Sequence, residues 1–217
     1  MKITTTSKRA IGCSSTTLDV VNCLIENITL NAVQGIILDE YTKATRINNI
    51  YSYGNVDTLL FLYGNANYVN GIDKEGGTGT SAGAYIYLDD LSGVGGACNG
   101  NILTNILIEG NCSANKSGMI IRRGTQIILD GYWYEANNSD GYMLRIEGSD
   151  RLTIRGYFQT IEPNRQLKID STSYVLIDEI SSDAVPNSIY DAIDKDSVST
   201  LIIDMLHTRG YYNPYLS

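Results

Sequence analysis

A short pattern of apolar and polar residues recurs along most of the chain, and this repeat limits the possible folds more than any other feature. The pattern reads apolar, polar, Asn or Gly, apolar, any residue, mostly apolar, polar, and the last two copies have Glu179 and Met205 at the third position. The copies begin at Ile25, Ile47, Val69, Leu103, Leu129, Ile154, Ile177 and Ile203. Successive copies start 22 to 26 residues apart, except for one interval of 34. Because such a repeat marks one structural unit that stacks on the next, the sequence predicts a β-solenoid.

A second apolar pattern lies between these copies and supplies another strand to each repeat. It occupies residues 36–40, 60–64, 86–90, 119–123, 144–148 and 167–171. No helical period of 3.6 residues persists anywhere in the chain. The third position of the first pattern is occupied by Asn27, Asn49, Gly71, Asn105, Gly131 and Gly156. Asn and Gly tolerate positive φ best, so we expect the chain to bend at the same place in successive turns.

The alternation within each copy predicts which side chains face the interior. Successive residues of a strand point to opposite faces, so the fourth and sixth positions should point inward and the fifth and seventh outward. In the segment LDGYWYE, residues 129–135, this places Tyr132 and Tyr134 inside and Trp133 and Glu135 outside.

These columns resemble the right-handed parallel β-helix of the pectate-lyase-like superfamily, whose asparagine ladder is similar to the Asn column here. Uneven repeat lengths and many Asn, Ser and Tyr residues look most like the central domain of a bacteriophage tailspike or polysaccharide depolymerase. The resemblance covers about residues 10–210. It implies an all-β, right-handed parallel β-helix (β-solenoid) of about eight coils. We expect one domain over residues 1–217, a fragment of a longer protein, with a long inserted loop around 76–100 and a short tail, 210–217.

Composition narrows the function classes. The net charge of −8 and the lack of Lys/Arg clusters argue against nucleic-acid binding, which requires basic surface. No apolar run approaches the length of a membrane span, and no signal peptide is evident. The spacing of Cys13, Cys23, Cys98 and Cys112 favours free thiols of a protein folded in the cytoplasm; disulfides Cys13–Cys23 and Cys98–Cys112 are the alternatives.

Three acidic residues occupy the outward seventh position of consecutive copies, namely Glu75, Glu109 and Glu135. Stacked strands lie about 4.8 Å apart, so neighbouring glutamates would be about 5 Å apart and Glu75 and Glu135 about 10 Å apart. Carboxyl groups separated by about 5 Å suit a retaining glycosidase, and by about 6.5–9.5 Å an inverting one. We therefore predict these three residues as catalytic candidates.

The neighbouring fifth position supplies candidate substrate-binding residues. It contains Tyr51, Asp73, Trp133 and Phe158. Exposed aromatic rings beside carboxylates suit stacking on sugar rings. Alternatively, the acids are an ordinary solvated face, and Trp133 and Phe158 are covered by another subunit of a trimer.

A second charged row follows the second strand of the repeat and includes Asp89, Arg122 and Glu147. Alternating charges of this kind favour a structural role, and an acid pair with Arg122 holding an anionic sugar is the functional alternative. Adjacent acids Asp178 and Asp204 could bind Ca²⁺, but such pairs are common at turns, so we expect neither a metal nor a cofactor. We interpret His207 as structural.

Three functions remain open at this point. The first is a tailspike-type β-helix that binds a bacterial surface polysaccharide, with or without hydrolysis by an endo-glycosidase mechanism. The second is a non-catalytic structural or receptor-binding solenoid of a virion appendage. The third is a polysaccharide lyase, which the sequence favours least. The resemblance further implies a homotrimer, contact with other tailspike segments, and location in a virion tail that acts outside the host cell.

Overall fold

The computed structural model describes most of the repeat region. The described residues are 2–4, 9–13, 20–31, 34–76, 78–79, 83–90, 98–112, 116–137, 142–155, 167–172, 174–182 and 193–208. Gly156, Phe158 and the tail 210–217 lie outside them, and for Glu135, Asp204 and His207 only the backbone is described.

Every regular element in the described residues is a β-strand, as the absence of a helical period predicts. The strands are β1 (Lys2–Thr4), β2 (Arg9–Cys13), β3 (Val20–Val21), β4 (Leu24–Asn31), β5 (Gln34–Leu38), β6 (Thr42–Lys43), β7 (Arg46–Tyr53), β8 (Thr58–Leu62), β9 (Tyr68–Glu75), β10 (Thr78–Gly79), β11 (Gly83–Asp89), β12 (Ile102–Cys112), β13 (Lys116–Arg122), β14 (Ile128–Asn137), β15 (Leu144–Glu147), β16 (Leu152–Arg155), β17 (Leu167–Asp170), β18 (Val175–Ser182), β19 (Ile193–Lys195) and β20 (Leu201–Thr208). Within these residues no helix is long and apolar enough to cross a membrane.

The strands form three parallel sheets. The long sheet has ten strands in the order β1-β4-β7-β9-β12-β14-β16-β18-β20, with β10 added beside β12. The return sheet has eight strands in the order β19-β17-β15-β13-β11-β8-β5-β2, and the short sheet pairs β3 with β6. Because neighbours in each sheet come from successive repeats, the fold is an all-β parallel β-solenoid.

The solenoid has about five turns, so the expectation of eight coils is wrong. Five turns, from β4–β5 to β14–β15, combine a long-sheet strand of at least eight residues with a return strand. The copies that begin at Ile154, Ile177 and Ile203 do add strands to the long sheet. Segments 156–166 and 183–192, which follow two of these strands, lie outside the described residues. Each copy of the sequence pattern predicts a single strand of the long sheet. A single strand does not show that the chain completes a full turn of the solenoid.

The predicted alignment of the repeats agrees with the observed register. Ile25 pairs with Ile47, and Ile47 pairs with Val69. Across the longest repeat, Val69 pairs with Leu103, so the extra residues are accommodated without shifting the strands. Inward positions are buried as expected, including Ile50, Ile106 and Tyr132. Tyr134 is also buried, whereas Trp133 between these two tyrosines is 38% exposed.

The predicted bend is confirmed by a column of left-handed residues. Positive φ values occur at Asn27, Asn49, Gly71, Asn105 and Gly131. The Asn49 side chain donates a hydrogen bond to Oδ1 of Asn27 at 3.1 Å, which is the expected ladder contact. Gly71 has no side chain to continue that ladder, and Asn105 instead donates to Oδ1 of Asn70 at 2.8 Å.

A second left-handed column, which sequence analysis missed, lies at the corner where the chain enters the long sheet. Its members are Asn22, Ala44, Ala66, Gly100, Gln126 and Arg151. Beside it lies a buried polar stack, in which Oδ1 of Asn67 accepts from the amide of Thr45 at 2.9 Å and Oδ1 of Asn101 accepts from the amide of Asn67 at 2.8 Å. The similar segments GNANY (64–68) and CNGNI (98–102) are the signal that could have revealed this stack.

The apolar interior also contains two fully buried lysines. Lys74 and Lys116 both place their ammonium groups over the ring of buried Tyr85, at 5.0 and 4.8 Å from its centroid. The ring face carries negative electrostatic potential, and backbone carbonyls of Gly76 and Asp57 accept hydrogen bonds from the two ammonium groups. These contacts offset part of the desolvation cost of the two charges.

The two cysteines whose side chains are described are free. Cys23 is half-buried and Cys98 is buried, so neither expected disulfide alternative is present. Burial raises the pKa of the Cys98 thiol to about 12, despite a hydrogen bond with Asn101 that acts in the opposite direction. Cys98 is therefore an unreactive thiol at neutral pH.

Candidate functional site

Three of the predicted site residues come together on the outer face of the long sheet, where β7 and β9 lie side by side. Tyr51 of β7 pairs in register with Asp73 of β9. The Tyr51 hydroxyl donates a hydrogen bond to Oε2 of Glu75 at 2.8 Å. Asp73 and Glu75 are two residues apart on one strand and share its outer face, which places their Cα atoms about 6.6 Å apart. We call Tyr51, Asp73 and Glu75 the acidic cluster.

The two carboxyl groups of the acidic cluster have different surroundings. Oδ1 of Asp73 is buried and has no hydrogen-bond partner among the described residues. Burial raises the pKa of the Asp73 carboxyl above its ordinary value, and the negative charge of Glu75 raises it further. Glu75 is exposed and accepts the Tyr51 hydrogen bond. Two nearby carboxyl groups with dissimilar environments are the arrangement in which one can hold a proton while the other is ionised.

Tyr51 responds to the same negative charge. Its hydrogen bond to Glu75 is the main cause that raises the pKa of its phenol, with smaller effects of slight desolvation and of the charges of Glu75 and Asp73. The phenol therefore stays protonated at neutral pH and remains a donor to the carboxylate. Within the described part of the chain, no lysine or arginine forms an ion pair with Asp73 or Glu75.

The other two predicted catalytic glutamates follow on the next strands. Glu109 of β12 pairs in register with Glu135 of β14. On its other side, Ile108 pairs with Lys74, so Glu109 lies level with Glu75. Glu109 is half-buried, and the side chain of Glu135 is not described. The backbone thus stacks the glutamate row as the repeat predicts, and the catalytic assignment of Glu109 and Glu135 stays a prediction.

Trp133 supplies an exposed aromatic ring on the same face as the acidic cluster. Trp133 continues the row that contains Tyr51 and Asp73, separated from Asp73 by Leu107. Two strand spacings place Trp133 about 10 Å from Asp73 along the stack. The rings of Tyr51 and Tyr53 lie 6.0 Å apart and add aromatic surface at the other side of the cluster. Phe158 lies outside the described residues.

In the second charged row, on the return sheet, acidic side chains form ion pairs with arginines. Asp89, Arg122 and Glu147 are neighbours in register on β11, β13 and β15. Nε of Arg122 lies 2.9 Å from Oε2 of Glu147, and Nη2 of Arg123 lies 2.8 Å from Oδ1 of Asp89. Arg145 also donates to Glu147.

The charge of this second row is balanced locally. Burial raises the pKa of Glu147, but the hydrogen bond from Arg122 and the charges of Arg145 and Arg122 outweigh burial, so the pKa lies below its ordinary value. These contacts favour the interpretation that the row stabilises the stack of strands. Among the described residues, no group of three or more His, Cys, Asp or Glu side chains is arranged to hold a metal ion.

Comparison with known proteins adds no family assignment. No family model, no curated protein and no solved structure matches the chain. The functional argument therefore depends on the contacts of the site itself.

Proposed function

We propose that this chain is a tailspike-type β-helix that binds a bacterial surface polysaccharide and hydrolyses it at the acidic cluster. The observation that carries the proposal is the pairing of a partly buried carboxyl with an exposed, tyrosine-bound carboxylate on one strand. The proposal includes the right-handed sense of the pectate-lyase-like fold, since parallel connections within one sheet are nearly always right-handed.

The chemistry assigned to the cluster follows from the two environments. Asp73, whose raised pKa favours the protonated form, donates its proton to the glycosidic oxygen as the bond to the anomeric carbon breaks. Glu75 accepts a proton from a water molecule whose oxygen attacks that carbon. Tyr51 holds the Glu75 carboxylate in place through its hydrogen bond. The two residues have Cα atoms about 6.6 Å apart along the strand, so the proposal places their carboxyl groups in the range of about 6.5–9.5 Å that leaves room for that water and favours inversion of configuration.

The test is release of reducing ends from a panel of capsular and O-antigen polysaccharides. We expect Asp73→Asn and Glu75→Gln to lower the rate by about 100-fold or more while polysaccharide binding is retained. Asp130→Asn is the matched control, because Asp130 is an exposed acid on the outer face of the same sheet, outside the cluster. Equal cleavage by wild type and both cluster variants would overturn the assignment.

A non-catalytic receptor-binding solenoid is the second candidate. The row of Asp89, Arg122 and Glu147 favours it, because these three charged residues form ion pairs that stabilise the stack. Binding of a polysaccharide by wild type without cleavage of any member of the panel would support this candidate. A product with an unsaturated sugar at its new end would instead identify a lyase.

A further inference from the structure

A groove of about 780 Å³ lies on the corner where three successive turns enter the long sheet, at the start of β4, β7 and β9. It is separate from the acidic cluster, which lies at the other end of β9. Its lining includes Ala44, Arg46, Asn48, Ala66 and Tyr68. None of these residues belongs to the sites predicted from the sequence.

Small side chains at the left-handed corner leave room for the groove. The corner residues of these three turns are Asn22, Ala44 and Ala66, and the side chains of the two alanines are single methyl groups. In the turns that contain β14 and β16 the same corner carries the long side chains of Gln126 and Arg151. Alanine has no polar side chain to stabilise the left-handed conformation, so these positions are strained by about 1–2 kcal/mol each. The left-handed conformation itself recurs at this corner from Asn22 to Arg151 and belongs to the fold, so the small alanine side chains are what distinguish the turns at the groove.

The chemistry of the lining points to an anionic ligand with a flat apolar face. Arg46 is the only charged residue of the lining, in a protein whose net charge is −8. It is exposed, and within the described residues it takes part in no ion pair. A guanidinium group binds a carboxylate through two parallel hydrogen bonds.

Aromatic and amide groups lie beside that cation. Tyr68 is 39% exposed and is the register neighbour of Arg46, about 4.8 Å along the stack. One sugar ring can therefore contact the Tyr68 face while its carboxylate reaches Arg46. Asn48 supplies a donor and an acceptor for sugar hydroxyls. Thr45, at the floor of the groove, has a buried hydroxyl without a hydrogen-bond partner among the described residues.

We infer that this groove binds a carboxylated sugar residue, such as a uronic or sialic acid, through Arg46, Asn48 and Tyr68. The inference rests on the proposed polysaccharide function and names the class of polysaccharide. The same carboxylated sugar could arrive as a free monosaccharide or within a chain, and the two sources are distinguished by comparing affinities for monomers and oligomers.

The experiment measures binding of glucuronate, galacturonate and sialate monosaccharides and oligosaccharides to the full chain by calorimetry, with their carboxyl-reduced forms as matched ligands. We expect carboxyl reduction to weaken binding about tenfold or more, and Arg46→Gln to remove that difference between the two ligands. Arg155→Gln is the control, since Arg155 is an exposed arginine on the same sheet that pairs with Asp178 at 3.2 Å. It should leave both affinities unchanged.

A second readout locates the ligand independently of affinity. Cys23 is a free, half-buried thiol in the lining of the groove, so bound sugar should slow its alkylation, measured by peptide mass spectrometry. Tyr68→Ala should abolish this protection, and Tyr68→Phe should retain it. Binding that is indifferent to the carboxylate or to Arg46→Gln, or equal binding of a short glutamate peptide, would overturn the inference.

The outcomes separate this inference from the proposed function. Cleavage of a neutral polysaccharide that survives Arg46→Gln would overturn the groove assignment and leave the acidic cluster standing. Carboxylated sugars that protect Cys23, with no cleavage sensitive to Asp73→Asn or Glu75→Gln, would support the groove and overturn the catalytic assignment.

Discussion

The outer faces of the two large sheets place charge on stacked strands in opposite ways. On the return sheet, acids and arginines alternate, and Arg122 lies between Asp89 and Glu147. On the long sheet, Asp73 and Glu75 of β9 form no ion pair with a described lysine or arginine, and Tyr51 is the hydrogen-bond partner of Glu75. Strand spacing is the same in both sheets, so the order of the side chains makes the difference. Alternating charges form ion pairs with one another. Clustered acids instead leave carboxyl groups that can bind another molecule or exchange a proton with it.

Reversing one charge in each row should give the largest contrast. Glu147→Lys removes the carboxylate that receives Arg122 and Arg145 and leaves three cations together, so we expect a loss of about 2–3 kcal/mol in the free energy of unfolding. Glu75→Lys should change stability by less than about 0.5 kcal/mol, because its site is exposed. Urea denaturation of both variants provides the comparison. Equal losses would show that the two rows do not differ as described.

Neutralising the central arginine should have a smaller effect. Arg122→Gln removes the ion pair with Glu147 and weakens the contact with Asp89, but the Arg122 side chain is 41% exposed and water screens both interactions. We therefore expect a loss of about 1 kcal/mol, decreasing as salt concentration rises. Lys168→Gln, a half-buried cation of the same sheet on β17, is the control, and denaturation at low and high salt is the measurement. A loss that is independent of salt would contradict an electrostatic origin.

The two rows should also respond to pH with opposite signs. Asp73 has a raised pKa, so its contribution to stability is present below its unfolded pKa and is lost as pH rises through its folded pKa. Glu147 has a lowered pKa, so its contribution is present above its unfolded pKa and is lost as pH falls through its folded pKa.

Asp73→Asn should therefore stabilise the protein relative to wild type as pH rises above the ordinary range of aspartate titration. Glu147→Gln should reduce the loss of stability that wild type shows in acid. Thermal unfolding followed across the acidic range measures both slopes. The same sign of change in the two variants would refute the assignment of distinct environments.

The smallest effect is expected within the acidic cluster itself. Tyr51→Phe removes the hydrogen bond to Glu75 but keeps the ring, so we expect a reduction in polysaccharide cleavage of less than about tenfold. The loss should appear in kcat more than in KM, because the phenol positions Glu75 and does not itself bind the sugar. Tyr53→Phe, which changes the neighbouring ring on the same strand, serves as the control. A cleavage rate equal to that of wild type, or a loss that Tyr53→Phe matches, would show that the phenol does not position Glu75.

Repetition made much of the fold predictable. The register of Val69 with Leu103, the bend at Asn27, Asn49 and Asn105, and the opposite orientations of Tyr132 and Trp133 all follow from local pattern. The physical reason is that alternation of side chains and tolerance of positive φ are properties of single residues and their near neighbours. The number of turns could not be obtained in this way, because closing a turn depends on contacts between segments far apart in sequence.

The chemistry of the sites depended on tertiary structure. The sequence placed Asp73 and Glu75 on the outer face, but the burial of one Asp73 oxygen and the Tyr51 contact depend on how β7 stacks beside β9. The open corner at Ala44 and Ala66 likewise arises from three turns lying side by side. The sequence alone determined a parallel solenoid with acids on one face, because the repeating pattern depends only on residues close together in the chain. Packing between segments far apart in the chain decided which acids are buried, which form ion pairs and where a groove opens.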